Sequence, residues 1–425
     1  MSIQNIGNAP KNYAVLPFYA TSAAFFLIWS VLLFLSESVF DVHYFNAHLL
    51  AVVHIAALGW GTMTIFGAAY QLIPVISEQN LYSSTLALIS YCFLTLGTVL
   101  IAYSFWFFIM DWHLILGGAL ILIAALLYNY NVLKTIRIFT LFSWERLFLF
   151  SSALWLITTV VIGLLLAFNF KYPFFTSNHL EILKLHAHVG LAGWFLQLIT
   201  GVSIRLMPMF LLGKSTKNHL IKASFILQNA GLLLFLLDGY LEAITYRSLI
   251  YAALIGAGII CWLLYIIDVY KKRLKKKIDI PMSHSLCSLI YLIVAIGFIP
   301  FVYFGVNMKW TFVYGVFLFM GWISSLILGM TFKTLPFIVW NNHYKNLHGK
   351  GKIPMPKDLY SPRMLKIQFW FFVIAIYVLA LSLIVEQPLF LKIALGIWIF
   401  VPLFYVINVV KILTHKTKID VGNSH

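Results

Sequence analysis

The sequence predicts an all-α integral membrane protein of about twelve transmembrane helices, arranged as three pseudo-threefold-related four-helix units. Three observations lead there: composition, a series of long apolar runs, and an internal repeat. Of 425 residues, 62% are hydrophobic and only 10% charged, against roughly a quarter charged in a soluble domain. Mean hydropathy is +0.93.

A helix needs about 20 mostly apolar residues to cross a bilayer. Runs of that kind fall at 15–36, 48–76, 84–108, 111–128, 147–169, 184–212, 222–242, 246–268, 284–305, 310–340, 366–385 and 388–413. Their length excludes a transmembrane β-barrel, whose strands are shorter and alternate. The polar start MSIQNIGNAPKN leads into a full-length span, so no cleavable signal peptide is expected. Cys92, Cys261 and Cys287 fall inside spans without metal-ligand spacing and read as small buried hydrophobes.

The formal net charge is +16, and its placement speaks against nucleic acid. Basic residues follow span 4 (Lys134, Arg137, Arg146), span 6 (Lys214, Lys217, Lys222), span 8 (KKRLKKK, 271–277) and span 10 (Lys345, Lys350, Lys352, Lys357, Arg363). Lys411, Lys416 and Lys418 close the chain, whereas the opposite loops hold little more than Lys171, Arg247 and Lys309. This positive-inside pattern predicts cytoplasmic N- and C-termini in a bacterial-type inner membrane, with lipid as the first partner.

Spans 2, 6 and 10 share a motif: HIAALGWGTMTIFGAAYQLIP from His54, HVGLAGWFLQLITGVSIRLMP from His188, and VFLFMGWISSLILGMTFKTLP from Val316. Without a gap, Gly59, Gly193 and Gly321 align, as do Trp60, Trp194 and Trp322, then Gly67, Gly201 and Gly329, then Pro74, Pro208 and Pro336. The repeats divide the chain into units of about 1–130, 131–275 and 276–425. The glycines, eight apart, share one helix face and admit either a neighbouring helix or a flat ligand. The proline and the polar residue before it (Gln71, Arg205, Lys333) read as a cytoplasmic helix end.

His54 and His188 occupy the same repeat position, and ionisable residues within a span are costly and usually functional. Two neutral imidazoles on helices related by a threefold axis suit axial ligation of a haem iron. Gly59 and Gly193 would leave room for the macrocycle, and Trp60 and Trp194 would pack on it. In His186-Ala187-His188 the two imidazoles point about 200° apart on a helix, so they serve different sites. His186 is a candidate ligand of a second metal centre, with His48 or His113 as partners, and imidazole clusters suit copper, zinc or haem iron. His43 and His179 read as loop residues, His284 lies near the inner end of span 9, and His219, His343, His348, His415 and His425 fall in cytoplasmic segments.

Twelve helices, three four-helix units and a histidine on the outer part of span 2 resemble the haem–copper oxidase subunit I superfamily, including nitric oxide reductases. The likeness is closer to its smaller, divergent members, the NnrS-type haem- and copper-containing membrane proteins. By that resemblance His54 matches the span-2 ligand of low-spin haem, and His186 with His188 is similar to the family's H-x-H pair. In the family that pair belongs to span 10, where this chain has Tyr314 and Val316. The family's copper ligands of spans 6 and 7 are missing, so proton-pumping oxygen reduction is not expected.

The resemblance implies a membrane protein of haem b, with copper as a second candidate cofactor, working in electron transfer or in nitric oxide or oxygen handling near the outer face. A haem-dependent oxidoreductase and a redox partner or respiratory-complex subunit go with that reading. Two other classes stay open. One is a twelve-helix secondary transporter, although such folds usually show twofold repeats. The other is a non-catalytic metal-delivery or assembly factor for respiratory complexes.

Overall fold

A computed structural model describes residues 10–137, 141–242, 244–305, 307–347 and 353–417. Twelve helices are long and apolar enough to cross a membrane: α1 (Asn12–Leu35), α2 (Ala47–Ser77), α3 (Ser84–Trp106), α4 (Trp112–Ile136), α5 (Trp144–Lys171), α6 (His179–Leu211), α7 (Asn218–Leu241), α8 (Arg247–Lys271), α9 (Ile280–Phe304), α10 (Lys309–Leu347), α11 (Pro362–Val385) and α12 (Pro388–Leu413). No strand forms among the described residues. The chain is a helical, multi-pass membrane protein. Large apolar side chains such as Leu96, Leu126, Leu237 and Ile260 point outward, as a surface bathed in lipid requires. Cys92 is exposed and Cys261 and Cys287 are half-buried, so the thiols are less enclosed than the sequence led one to expect. In a bilayer an outward thiol meets hydrocarbon, so burial in protein is not needed to shelter it. Lys350, Lys352 and Lys418 of the basic clusters, and His348 and His425, lie outside the described residues.

Several helices start on side-chain caps that the sequence supplies locally. Asn46 accepts from the His48 and Leu49 amides, Ser83 from Leu86, Asp111 from His113, Ser143 from Arg146, Asn178 from Leu180, and Ser361 from Met364. Each cap satisfies one or two of the four amides that a helix start leaves unbonded.

The helices gather into two compact units. One joins residues 10–15 to the chain from Ala69 to Lys277, and the other joins Leu16–Ala68 to the chain from Ile278 onward. This partition follows packing rather than the three consecutive repeats. In the second unit the first and last helices meet: Phe26 and Trp29 of α1 lie 5.8 and 5.6 Å from Trp398 of α12, and Phe26 lies 5.8 Å from Tyr405.

The repeat is visible as local structure. Each of the three motif helices loosens into a π-helical segment at the same place: Ile55–Thr62 in α2, Val189–Phe195 in α6 and Val316–Ile323 in α10. Every segment contains the motif's Gly-Trp pair, and π-helical turns inside α-helices are uncommon and concentrate at functional positions. The motif's proline stands inside each helix. α2 and α6 stop three residues after it, but α10 continues from Pro336 through Tyr344, so in the third repeat the proline is not a helix end. The polar residue before it pairs with an acid in two repeats: Arg205 with Glu78 at 3.1 Å, and Lys333 with Asp279 at 2.6 Å.

A second repeated pattern lies on α1, α5 and α9, the helices that precede the three motif helices. Phe18, Phe148 and His284 are fully buried, and seven residues on come Phe25, Trp155 and Tyr291. Between them Ser22, Ser152 and Ser288 each donate to the carbonyl three residues back, at 3.1, 2.9 and 2.7 Å. The aromatic of this pattern meets the first motif glycine in every repeat. A Cβ on Gly59 would lie 2.7 Å from the Phe25 ring, on Gly193 2.7 Å from Trp155 Cβ, and on Gly321 3.0 Å from Tyr291 Cβ.

Candidate functional site

His54 is half-buried at the end of the first α-helical stretch of α2, one residue before the π-helical segment. Its Nδ1–H donates to the Leu50 carbonyl at 2.7 Å. His188 stands at the same junction in α6, and its Nδ1–H donates to the Lys184 carbonyl at 2.8 Å. A carbonyl only accepts, so both rings carry the proton on Nδ1 and, when neutral, the lone pair on Nε2. An imidazole held by an Nδ1–H bond to a carbonyl is oriented and made more basic at Nε2, the arrangement usual for metal-ligating histidine.

The H-x-H pair divides between two neighbours, as the helical geometry requires. His188 faces α7, its ring 5.5 Å from that of Phe235. His186 faces α5, where its Nδ1–H donates to the Thr159 carbonyl at 2.9 Å and its Cε1 lies over Gly163. Gly163 makes that approach possible, since a Cβ there would sit 2.7 Å from Cε1. His113 is exposed and turned to its own helix start, with Nδ1 2.9 Å from Asp111 Oδ1. The Asp111 carboxyl is held below its ordinary range by that hydrogen bond. His48 is exposed on the first turn of α2, where its amide is capped by Asn46. Among the described residues, no group of three or more His, Cys, Asp or Glu side chains converges as a metal-binding cluster.

Gly59 and Gly193 open their space to the protein's own rings, Phe25 and Trp155, so the first motif glycines act in helix packing. Trp60 and Trp194 are equally engaged. Trp60 is fully buried, stacks on Phe26 at 4.2 Å, meets Tyr405 edge-on at 5.1 Å and donates Nε1–H to Ser324 Oγ at 3.2 Å. Trp194 meets Tyr128 edge-on at 5.6 Å, and Tyr128 in turn meets Tyr70 at 5.6 Å.

Sequence reasoning missed a polar network beside the His188 segment. Asn229 Oδ1 accepts from Ser151 Oγ–H at 2.6 Å and from Trp155 Nε1–H at 2.9 Å. Asn229 Nδ2 donates to Gln197 Oε1 at 3.1 Å, Gln197 Nε2 to Gln228 Oε1 at 3.0 Å, and Gln228 Nε2 to Ser224 Oγ at 2.9 Å. The signal was present as three carboxamides in otherwise apolar spans. The network ties α5, α6 and α7 together and, through Trp155, braces the helix against which Gly193 packs.

A cleft of about 720 Å³ lies elsewhere, lined by Asp41, His43, Asn307, Lys309 and Glu386 among others. Of the sequence-derived histidines it includes only the loop residue His43. Lys309 Nζ and Asn307 Nδ2 approach Glu386 Oε1 at 2.8 and 3.0 Å across it.

Compared with known proteins, the chain matches no protein-family model and no curated protein sequence.

Proposed function

We propose that this multi-pass membrane protein binds b-type haem, with the imidazoles of His54 and His188 as candidate ligands, and that it handles electrons, nitric oxide or oxygen in the manner of the oxidase-like family it resembles. The observation that carries this reading is the identity of the two histidines' settings. Each stands at the junction of an α-helical and a π-helical stretch, and each is fixed by an Nδ1–H bond to the carbonyl four residues back.

The donor set fits the group: neutral imidazoles with the lone pair on Nε2 are axial ligands of haem iron. Gly59 and Gly193 do not supply room for the macrocycle, because Phe25 and Trp155 lie against them. When bound, the haem supplies one-electron chemistry and gas coordination. The chain's own part is to hold the two rings in one tautomer through Leu50 and Lys184, and to keep water away with the apolar walls of its helices.

The test is the reduced-minus-oxidised visible spectrum of the protein purified in detergent after expression with adequate haem, together with haem content per chain. A sharp b-type α-band is expected, and His54→Ala and His188→Ala should each lose it in whole or in part. A spectrum unchanged in both variants would overturn the ligand assignment. Absence of a Soret band would remove the haem reading and leave transport or metal delivery.

A further inference from the structure

His284 breaks a pattern that its own repeat defines. Its counterparts are Phe18 and Phe148, and all three side chains are fully buried. A phenylalanine ring therefore satisfies the packing this position demands, Phe148 lying against Gly201 as His284 lies against Gly329. An imidazole adds two ring nitrogens that need partners away from water.

One nitrogen has its partner. Ser325 Oγ–H donates to the His284 carbonyl at 2.9 Å, so the hydroxyl oxygen is the acceptor in its 3.2 Å contact with His284 Nδ1. The proton is thus on Nδ1, and the lone pair of the neutral ring is on Nε2. Nε2 is buried and, among the described residues, has no hydrogen-bond partner.

The neighbouring helix carries a complementary group. The His284 ring meets Phe369 of α11 edge-on at 4.8 Å and Phe372 at 5.2 Å. Gln368 lies one turn before Phe372 on the same helix face. It is fully buried, and neither its Oε1 nor its Nε2 has a partner among the described residues. Two adjacent helices of one compact unit therefore bury three hydrogen-bonding atoms without partners. Nε2 of His284 requires a donor, while the Gln368 carboxamide requires both donors and acceptors. Water meets all of these needs, and a buried water typically makes about three hydrogen bonds to such groups.

We propose that His284 Nε2 and the Gln368 carboxamide form a buried binding site for one or two water molecules, in which water donates to Nε2 and bridges to Gln368. The site makes His284 Nε2 a hydrogen-bond acceptor inside the core formed by α9, α10 and α11. The proposal is independent of the haem reading, because neither His54 nor His188 takes part in it.

A structure of the protein in lipid nanodiscs, at a resolution that shows ordered water, tests it. The expected result is solvent density about 2.7–3.2 Å from His284 Nε2, lost in His284→Phe, the residue the other two repeats use. A dry contact, or a direct hydrogen bond from Gln368 Nε2 to His284 Nε2, would overturn the proposal. Water-edited solid-state NMR of ¹⁵N-histidine-labelled protein gives a second readout. Transfer from water to His284 Nε2 is expected in the wild type and should be lost or sharply reduced in Gln368→Leu. No transfer in the wild type, or undiminished transfer in Gln368→Leu, would count against the shared site.

Discussion

Gly193 abuts Trp155 so closely that a methyl group on the glycine would lie 2.7 Å from the tryptophan Cβ. The same approach joins Gly59 to Phe25 and, at 3.0 Å, Gly321 to Tyr291. Backbone-adjacent atoms cannot swing aside as a flexible side-chain end would, so the helices must part. Gly193→Ala is expected to destabilise the protein by about 1–3 kcal/mol, the usual cost of overpacking. Gly321→Ala, with the longer contact, should cost less. Thermal unfolding in detergent gives the comparison, and equal stability of both variants with the wild type would show that the helix pairs are not packed this tightly.

Asn229 holds four partners at once, and removing it strands three of them: Gln197 Oε1, the Ser151 hydroxyl and the Trp155 indole N–H. Asn229→Leu should cost about 1–3 kcal/mol, the range for leaving buried polar groups unpaired. Asn229→Leu combined with Gln197→Leu should cost less than the sum of the single changes, because it removes both ends of a bond. Additive losses would mean that the two amides act separately.

His186 rests on a glycine rather than on a cavity. Gly163→Ala should push the His186 ring off its seat and weaken the Nδ1–H bond to Thr159, while leaving His54 and His188 in place. Side-chain NMR of labelled histidines reads this directly, with a shift confined to His186 as the expected outcome. A shift at all three would mean that the substitution disturbs the fold more widely.

Glu386 should give acid stability a measurable slope. The hydrogen bonds from Lys309 and Asn307 hold its carboxyl below the ordinary glutamate range. A carboxylate whose folded pKa is depressed contributes stability above its unfolded pKa, about 4.3, and loses it as pH falls through the folded value. Wild-type melting temperature should therefore drop more steeply than that of Glu386→Gln as pH is lowered from about 5 to about 3. The group is exposed, so the difference will be small and will shrink in high salt. Parallel curves would show that the contact with Lys309 does not persist in solution.

Membrane class, helix number and the Gly-Trp-Gly-Pro repeat were legible in the chain because they depend on local quantities: apolar run length and the spacing of scarce residues. The opposed directions of His186 and His188 were legible for the same reason, since helical geometry alone sets them. The companion pattern on α1, α5 and α9 was not. Its positions carry Phe, Phe or His, then Phe, Trp or Tyr, with only Ser22, Ser152 and Ser288 in common, and what unites them is contact with the motif glycines. The same holds for the Asn229 network, whose members come from three spans and look like isolated amides when read in order.

By itself, then, the sequence determined that the chain makes twelve membrane-length helices and that His54 and His188 share a repeat position. Only the tertiary structure decided what the motif does in each place. It put Phe25, Trp155 and Tyr291 against the glycines, joined Asn229 to Ser151, Trp155 and Gln197, and left the imidazole of His284 buried with one nitrogen unpartnered among the described residues. Helix formation is settled within a few residues of chain. The carbonyls that hold His54 and His188 lie on their own helices, whereas the partners of Asn229 and of His284 Nδ1, and the space beside a motif glycine, are supplied by another helix, and no property of the single segment specifies those.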